Sequence, residues 1–348
     1  MKALFVGLGS IGQRHLRNIR QIVGDELEVI AYRAQSTSPL LSADGKVDAG
    51  KSVDDEYGVE VFSSLENALG AGPDVAIICN PTRLHIETAI KCAEAGCHLL
   101  IEKPLSDQTD GIDQLKSAIE KSGVVATVAY QMRFHPGILA LDELIHSGSL
   151  GSVVSSSLTI GEYLPNWHPW EDYRGSYAAI EALGGGAIAT QSHEFDYASM
   201  LFGPPKSVFA VGGQLSDLDV DVEDVALLLA DHGSESRRLP VQFNLDYVRR
   251  SPVRNCEIIF QSGVAVLDLL ANTVQIEGLT HEEKRFLEWP EFDRNELFLG
   301  EMQDFLDAVK GAPLIGASIV DGIAAVELIT AAKRSLSSGD SQTVGSDE

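Results

Sequence analysis

Short, unbroken apolar runs alternate with amphipathic stretches through the first 130 residues. The runs are Ala3-Leu4-Phe5-Val6, Leu27 to Tyr32, the short Val59-Glu60-Val61-Phe62, Val75 to Cys79, His98 to Ile101 and Val124 to Tyr130. Each is too short for a buried helix and reads as a strand covered on both faces. Between them Ile11, Leu16, Ile19 and Val23 recur at helical spacing. A helix over 83–95 stops at Gly96, one begins at a Ser63 cap with Glu66 behind it, and another runs from Ser106 to Gly123. Strand and helix in alternation predict a parallel, doubly wound α/β domain over 1–130. Residues 34–57 form a long polar connection.

The period changes after residue 130. A helix over 136–145 precedes Gly148 and Gly151. Val241, Phe243, Leu245 and Tyr247 then alternate with Gln242, Asn244 and Asp246. A period of two marks strands with one buried and one wetter face, as in an antiparallel sheet. Further strands are predicted over 153–160, 207–212, 224–230, 255–260, 264–269 and 273–276, and helices over 294–310 and 318–336. This gives a second α/β domain of the α+β type over 131–336, and a Ser-, Gly- and acid-rich tail, 337–348, expected to fray.

Composition narrows the function. The chain has 348 residues, 44% hydrophobic and 22% charged, with a formal net charge of −25. That charge argues against nucleic acid and anionic membranes as partners. No apolar run approaches the ~18 residues of a membrane span, and Met1 leads directly into a strand rather than a leader, so a cytoplasmic protein is expected. Cys79, Cys92, Cys97 and Cys256 have no zinc or CxxC spacing and read as reduced, mostly buried thiols, with no metal site implied.

The first strand opens into Gly7-x-Gly9-x-x-Gly12 and a helix. In that place Gly7 suits the tight turn, Gly9 a close approach of backbone to pyrophosphate, and Gly12 close helix packing. Ser10 and Ile11 open the helix whose N-terminus faces the phosphates. The second strand ends not in the acid expected to hold the ribose 2′-hydroxyl of NAD but in Arg33, with Ser36 and Thr37 behind it. A guanidinium there suits a 2′-phosphate and favours NADP, or it stacks on adenine and serves both nucleotides. Asn80-Pro81-Thr82 and Glu102-Lys103-Pro104 end two further strands on the same sheet edge, where they can line one nicotinamide crevice.

These marks carry a resemblance. With Asn80-Pro81-Thr82-x-x-His85, Glu102-Lys103-Pro104, Arg133-Phe134, and Gly184-Gly185-Gly186 followed by His193 and Asp196, nearly the whole chain resembles the glucose-fructose oxidoreductase / inositol dehydrogenase / MocA (Gfo/Idh/MocA) family. The resemblance implies a Rossmann domain, a second domain with an open, mainly antiparallel sheet, and NAD(P)-dependent redox chemistry on sugars or polyols. It also implies oligomer contacts on the sheet face, so a homodimer or homotetramer. On this reading Gly7, Gly9, Ser10, Ile11, Gly12, Arg33, Asn80, Pro81, Thr82, His85, Glu102, Lys103 and Arg133 form the cofactor side. Lys103 hydrogen-bonds the reacting oxygen and His193 passes the proton.

One position departs from the family pattern. Many members carry Asp about one turn before the histidine, where this chain has Thr190, which can hydrogen-bond but supplies no negative charge. Asp196 could orient the imidazole instead, with Tyr173 and Tyr177 as reserve proton donors. The stretch from Tyr163 to Tyr177 holds two of the three tryptophans, Trp167 and Trp170. It offers either stacking surface for a sugar or a satellite apolar cluster. Trp167, Arg174, Thr190, His193 and Lys103 are the expected substrate residues. Arg174, Arg249, Arg250 and Arg254 on so acidic a chain suggest a negatively charged sugar, a nucleotide sugar or a sialic-type acid, unless they pair surface carboxylates. Two other functions share the fold: a non-catalytic NAD(P)-sensing regulator, and a net redox-neutral enzyme with tightly held cofactor.

Overall fold

The computed structural model describes all residues except 34–38, 43–45, 169, 235, 279–283 and 346–348. Two compact units are formed, one by Met1–Tyr130 with Phe298–Ile323, the other by Gln131–Leu297 with Ala324–Glu348.

In the first unit β1 (Lys2–Val6), β2 (Glu28–Tyr32), β5 (Glu60–Phe62), β6 (Val75–Ile78), β7 (His98–Ile101) and β8 (Ala126–Val128) make one parallel sheet in the order β5-β2-β1-β6-β7-β8. The strand order reverses between β1 and β6, the place where such sheets open a crevice at the strands' carboxyl ends. Helices α1 (Ser10–Val23), α3 (Leu65–Gly70), α4 (His85–Glu94) and α5 (Ile112–Ser122) connect the strands. The polar connection after β2 contains a small ribbon, β3 (Pro39–Leu41) with β4 (Val47–Ser52), and a short helix, α2 (Val53–Tyr57).

Sequence and structure part in three places here. Ser64, not Ser63, caps α3, accepting the Asn67 amide at 3.3 Å. Ser106 holds only a turn, through the Gln108 amide, and α5 starts six residues later. Third, the reading that ends this domain at 130 misses 298–323. Met302, Phe305 and Leu306 of α9 (Asn295–Val309) are buried in one cluster with Phe5, Leu16, Ile19 and Ile77. The Ala317 carbonyl accepts from Val128 N at 3.0 Å and Thr127 Oγ1 at 2.7 Å. An apolar stripe on a late helix does not say which sheet it covers.

The second unit is built on a nine-stranded sheet: β9 (Val153–Gly161), β10 (Ser207–Gly213), β11 (Val225–Asp231), β12 (Pro240–Asp246), β13 (Val253–Phe260), β14 (Gly263–Asp268), β15 (Thr273–Gly278), β16 (Arg285–Glu288) and β17 (Gln342–Thr343). The order is β16-β15-β14-β13-β9-β12-β11-β10-β17, antiparallel except for β9 beside β12. Val241, Phe243 and Leu245 are fully buried, as the period of two requires. Helices α6 (Pro136–Ser147), α7 (Ala187–Thr190) and α8 (His193–Phe202) belong here, with the second part of α10 (Ile319–Ser338). The expected fraying of the tail does not hold through 345. Ser335 Oγ bonds the Asp340 carbonyl at 2.7 Å, and β17 pairs with β10; 346–348 lie outside the described residues. Among the described residues no helix is long and apolar enough to cross a membrane.

Candidate active site

The glycine turn follows β1 directly. Gly7 has φ +94°, and a side chain there would sit 2.8 Å from the Cys79 carbonyl, where β6 ends. Gly12 is pressed on the Gly7 carbonyl, 2.4 Å from where a Cβ would stand. Around Gly9, by contrast, the Cβ position is open, and α1 begins without a side-chain cap or an acid in its first turn. Its first N–H groups therefore lack the usual internal partner, which suits a pyrophosphate. At the end of β6, Asn80 donates to Thr88 Oγ1 at 2.9 Å, while its Oδ1 is buried with no hydrogen-bond partner among the described residues. A buried orphan acceptor at the switch point fits a ligand donor such as a ribose hydroxyl or carboxamide. These features suit a dinucleotide.

Lys103, half-buried, ends β7, two strands from β1 in the sheet order. Its neighbours are tightly held. Glu102 accepts from His15 Nε2 at 2.8 Å and from the Lys103 amide at 3.1 Å. Burial pushes the Glu102 carboxyl up, but the His15 bond and charge, with Lys103, outweigh it and hold the group below the usual carboxylate range. His85 is 1% exposed, with Nδ1 2.9 Å from the Pro104 carbonyl and Nε2 2.7 Å from that of Asn80. Both ring nitrogens of His85 and the carboxylate of Glu102 are thus engaged inside the protein. These contacts place both residues, expected on the cofactor side, beside the lysine they flank. His15, buried and three residues past Gly12, is absent from the sequence reading. Its signal was a polar residue, like Gln13 and Asn18, beside Leu16 and Ile19 on the buried face of α1.

Arg33 is buried and its guanidinium is bonded to Asp54 of α2. The carboxylate beside this guanidinium stands 21 residues further along the chain. Ser36 and Thr37 lie outside the described residues. Pro81 and Thr82 begin the turn into α4, with Thr82 buried.

In the second unit His193 is the first residue of α8, not mid-helix, because the chain breaks at Gln191-Ser192 after α7. Asp196, three residues further on, is 1% exposed. It holds Arg133 through two Nε contacts of 3.0 and 3.1 Å and an Nη2 contact of 2.7 Å. The guanidinium of Arg133, expected on the cofactor side, is anchored by this pair. The neighbouring Glu194, 0% exposed, takes Arg254 at 2.7 and 3.2 Å. Thr190 is buried, donating to the Gly186 carbonyl at 2.9 Å and bonded to the Tyr247 hydroxyl, so it is not open to substrate as expected. The glycines before α7 make room for protein rather than ligand. A Cβ on Gly186 would meet the Glu223 carboxylate and one on Gly185 the Tyr177 carbonyl. Glu223 Oε1 accepts the Ile188 amide at 2.9 Å, and burial raises its carboxyl pKa.

The aromatic stretch is anchored on Tyr247. Trp167 meets that ring edge-on at 5.3 Å, and its indole Nε1 is buried without a hydrogen-bond partner among the described residues. Tyr173 Oη accepts the Asp219 amide at 3.1 Å, and Tyr177 opens the next turn. The arginines read as anion ligands all have protein partners. Arg174 forks onto Asp172, Arg249 bonds Asp246 at 3.1 Å, Arg250 covers the Tyr163 ring at 4.1 Å, and Arg254 is spent on Glu194.

Two family models match the chain: the Gfo/Idh/MocA oxidoreductase family, NAD-binding Rossmann fold, over residues 1–130, and the Gfo/Idh/MocA C-terminal domain over 138–266. The myo-inositol 2-dehydrogenase of Thermotoga maritima is 27% identical over 350 residues, covering 97% of this chain and 96% of that protein. Among solved structures, levoglucosan dehydrogenase in complex with NADH and levoglucosan superposes with a TM-score of 0.81 at 20% identity, over 99% of this chain and all of that one. The WlbA dehydrogenase of Bordetella pertussis, in complex with NADH and UDP-GlcNAcA, gives 0.77 at 21% identity over 99% of each. The chain belongs to the Gfo/Idh/MocA family, and it is an NAD(P)-dependent oxidoreductase of the sugar and polyol dehydrogenase class, acting on CH–OH groups.

Proposed function

We propose that Lys103 and His193 carry the chemistry and that the substrate is an uncharged polyol or sugar. One observation carries the Lys103 assignment: Gly9, Asn80 and Lys103 follow the carboxyl ends of β1, β6 and β7, three adjacent parallel strands. Bound NAD(P) supplies the hydride acceptor or donor. Lys103 donates an N–H to the reacting oxygen and steadies its developing negative charge. His193 takes the hydroxyl proton on oxidation and returns it on reduction. Asn80 Oδ1 accepts from the nucleotide.

The uncharged substrate follows from the arginines. Of the four arginines weighed as anion ligands, Arg174, Arg249 and Arg254 each already face a carboxylate, and Arg250 lies over the Tyr163 ring. The preference for NADP over NAD rests on Arg33 and is small, because Asp54 already offsets its charge. The apolar pairs Phe209 with Leu229 and Val211 with Leu227, exposed on neighbouring strands, support self-association through the sheet.

The test is a turnover screen of the purified protein with NAD and NADP against myo-inositol, levoglucosan, free hexoses, a UDP-hexuronic acid and sialic acid. Reduction of nicotinamide by a neutral polyol with the highest kcat/KM supports the reading. A charged sugar at the head of the series overturns the substrate assignment. Tight nucleotide binding without turnover on any compound favours the sensing regulator.

A further inference from the structure

The segment that carries Lys103 is gripped on both sides by buried histidines from two different helices. Upstream, His15 of α1 is fully buried and meets Glu102 at 2.8 Å. Glu102 Oε1 is an acceptor only, so His15 Nε2 carries the proton of this bond. The opposite oxygen, Oε2, accepts the Lys103 amide at 3.1 Å, which fixes the backbone from which the lysine side chain leaves. The other face of His15 is apolar: its ring meets Phe298 edge-on at 6.1 Å, and Nδ1 has no hydrogen-bond partner among the described residues. The ring therefore has one polar contact, and that contact is Glu102. Downstream, His85 of α4 lies between the Pro104 and Asn80 carbonyls, at the ends of β7 and β6, and its neutral ring donates its one N–H to one of them.

His15 also stands three residues after Gly12, on the first turns of the helix that the glycine motif opens. Its bond to Glu102 spans 87 residues of sequence and links that helix to the lysine strand. We propose that His15 is a positioning residue for Lys103, acting through the Glu102 carboxylate, with His85 bracing the other side of the same segment. The inference rests on the reading of Lys103 as the group that meets the reacting oxygen. A lysine displaced by even a fraction of a bond length from that oxygen loses catalysis while the nucleotide keeps its own contacts.

The test compares His15→Leu, which removes the donor, with His15→Gln, whose amide nitrogen can reach the same carboxylate, and His15→Asn, whose shorter amide cannot. Three quantities are read on the full-length protein: hydrogen exchange of the Lys103 amide by NMR, the NADH dissociation constant by fluorescence, and kcat and KM on myo-inositol. The Leu and Asn variants are expected to speed exchange at Lys103 and to lower kcat roughly ten- to a hundredfold. NADH affinity should stay within about threefold, and Gln should restore both readouts. Unchanged Lys103 exchange in His15→Leu and His15→Asn overturns the proposal. So does a loss of NADH binding in place of kcat, or a Gln variant no better than Asn. If Leu fails to fold, the Gln–Asn pair decides alone. Lys103→Met is assayed alongside. If it keeps turnover, the catalytic reading of Lys103 is what fails, while the exchange data still decide whether His15 holds the segment.

Discussion

Lys103 in the first unit and His193 in the second each sit beside carboxylates, but different chemistry holds those carboxylates. Glu102 is held by a histidine, His15, and a second histidine, His85, holds the carbonyl of Pro104. Glu194 and Asp196 are held by arginines, Arg254 and Arg133, each through more than one N–H. A guanidinium keeps its charge at every accessible pH, and its fork fixes a carboxylate in two directions. An imidazole offers one or two donors and titrates near neutrality. The α8 segment is therefore held by charged forks, and the lysine segment by imidazoles.

Removing each central residue should have the largest effect on turnover. Lys103→Met is expected to lower kcat by roughly 10²–10⁴, with NADH affinity little changed. His193→Ala should cost less if Tyr173 or Tyr177 can hand on the proton, and the pH–rate profile then shifts toward a higher apparent pKa. Near-normal turnover in Lys103→Met would reduce that residue to a strand-end lysine. An unchanged profile in His193→Ala would move the proton to a tyrosine.

The supports themselves come next. Glu194→Leu leaves the Arg254 guanidinium buried without its partner and should cost about 3–5 kcal/mol, read from denaturant midpoints. The double variant Glu194→Leu with Arg254→Leu should recover much of that loss, since two apolar groups bury more cheaply than one stranded charge. Equal destabilisation in single and double variants would mean that the pair contributes by packing alone. The Tyr247–Thr190 contact is smaller. Thr190→Ala should cost about 1–2 kcal/mol for a buried hydroxyl that loses one partner.

How much of this was legible in the sequence follows the length of the connections. The glycine turn, Asn80 and Lys103 lie at ends of short apolar runs, and period and punctuation place them on one sheet edge. The supports were not legible. His15 and Glu102 are 87 residues apart, Arg133 and Asp196 are 63, and Arg254 and Glu194 are 60. A sequence shows which residues are unusual on an apolar face but not which of them meet. Of the arginines weighed as anion ligands, Arg174 and Arg249 pair with carboxylates only two and three residues away, and Arg254 alone takes a distant one. Sequence distance also hides the neighbour of Gly186, which is Glu223.

Mild acid tests the buried histidines. Burial lowers the pKa of His85, and it lowers those of His135 and His232 to about 4. The unfolded chain, with histidine near 6.5, binds these protons first. The stability they represent is therefore complete above about pH 6.5 and is lost as pH falls toward their folded values. For His135 and His232 the loss is up to roughly 3 kcal/mol each at the acid end of that window. The guanidiniums of the arginine pairs stay charged throughout it. Unfolding midpoints at several pH values between 7 and about 4.5 should fall, and His232→Leu should flatten the slope. A flat profile in the unmutated protein would show that these rings are protonated, and satisfied, when folded.

The smallest expected effect concerns an arginine pair in the first unit, where the same chemistry meets a ligand instead of a helix. Arg33 is buried against Asp54, whose side chain keeps 23% of its surface exposed. A 2′-phosphate approaching Arg33 must compete with that carboxylate, and the pair presents little net charge. The NADPH-to-NADH affinity ratio should therefore be modest, within about tenfold, although a charge-assisted bond to phosphate can contribute ~1.5–3 kcal/mol. Asp54→Asn removes the competing charge while keeping a group that can bond the guanidinium. It should raise NADPH affinity several-fold and leave NADH nearly unchanged, as titration of nucleotide fluorescence would report. Arg33→Ala should then erase the difference between the two nucleotides. The opposite result, weaker NADH binding in Asp54→Asn with NADPH unaffected, would make Asp54 the acceptor of the ribose 2′-hydroxyl. In that case the acid absent from the end of β2 has been replaced from α2, Arg33 serves to aim it, and the natural nucleotide is NAD.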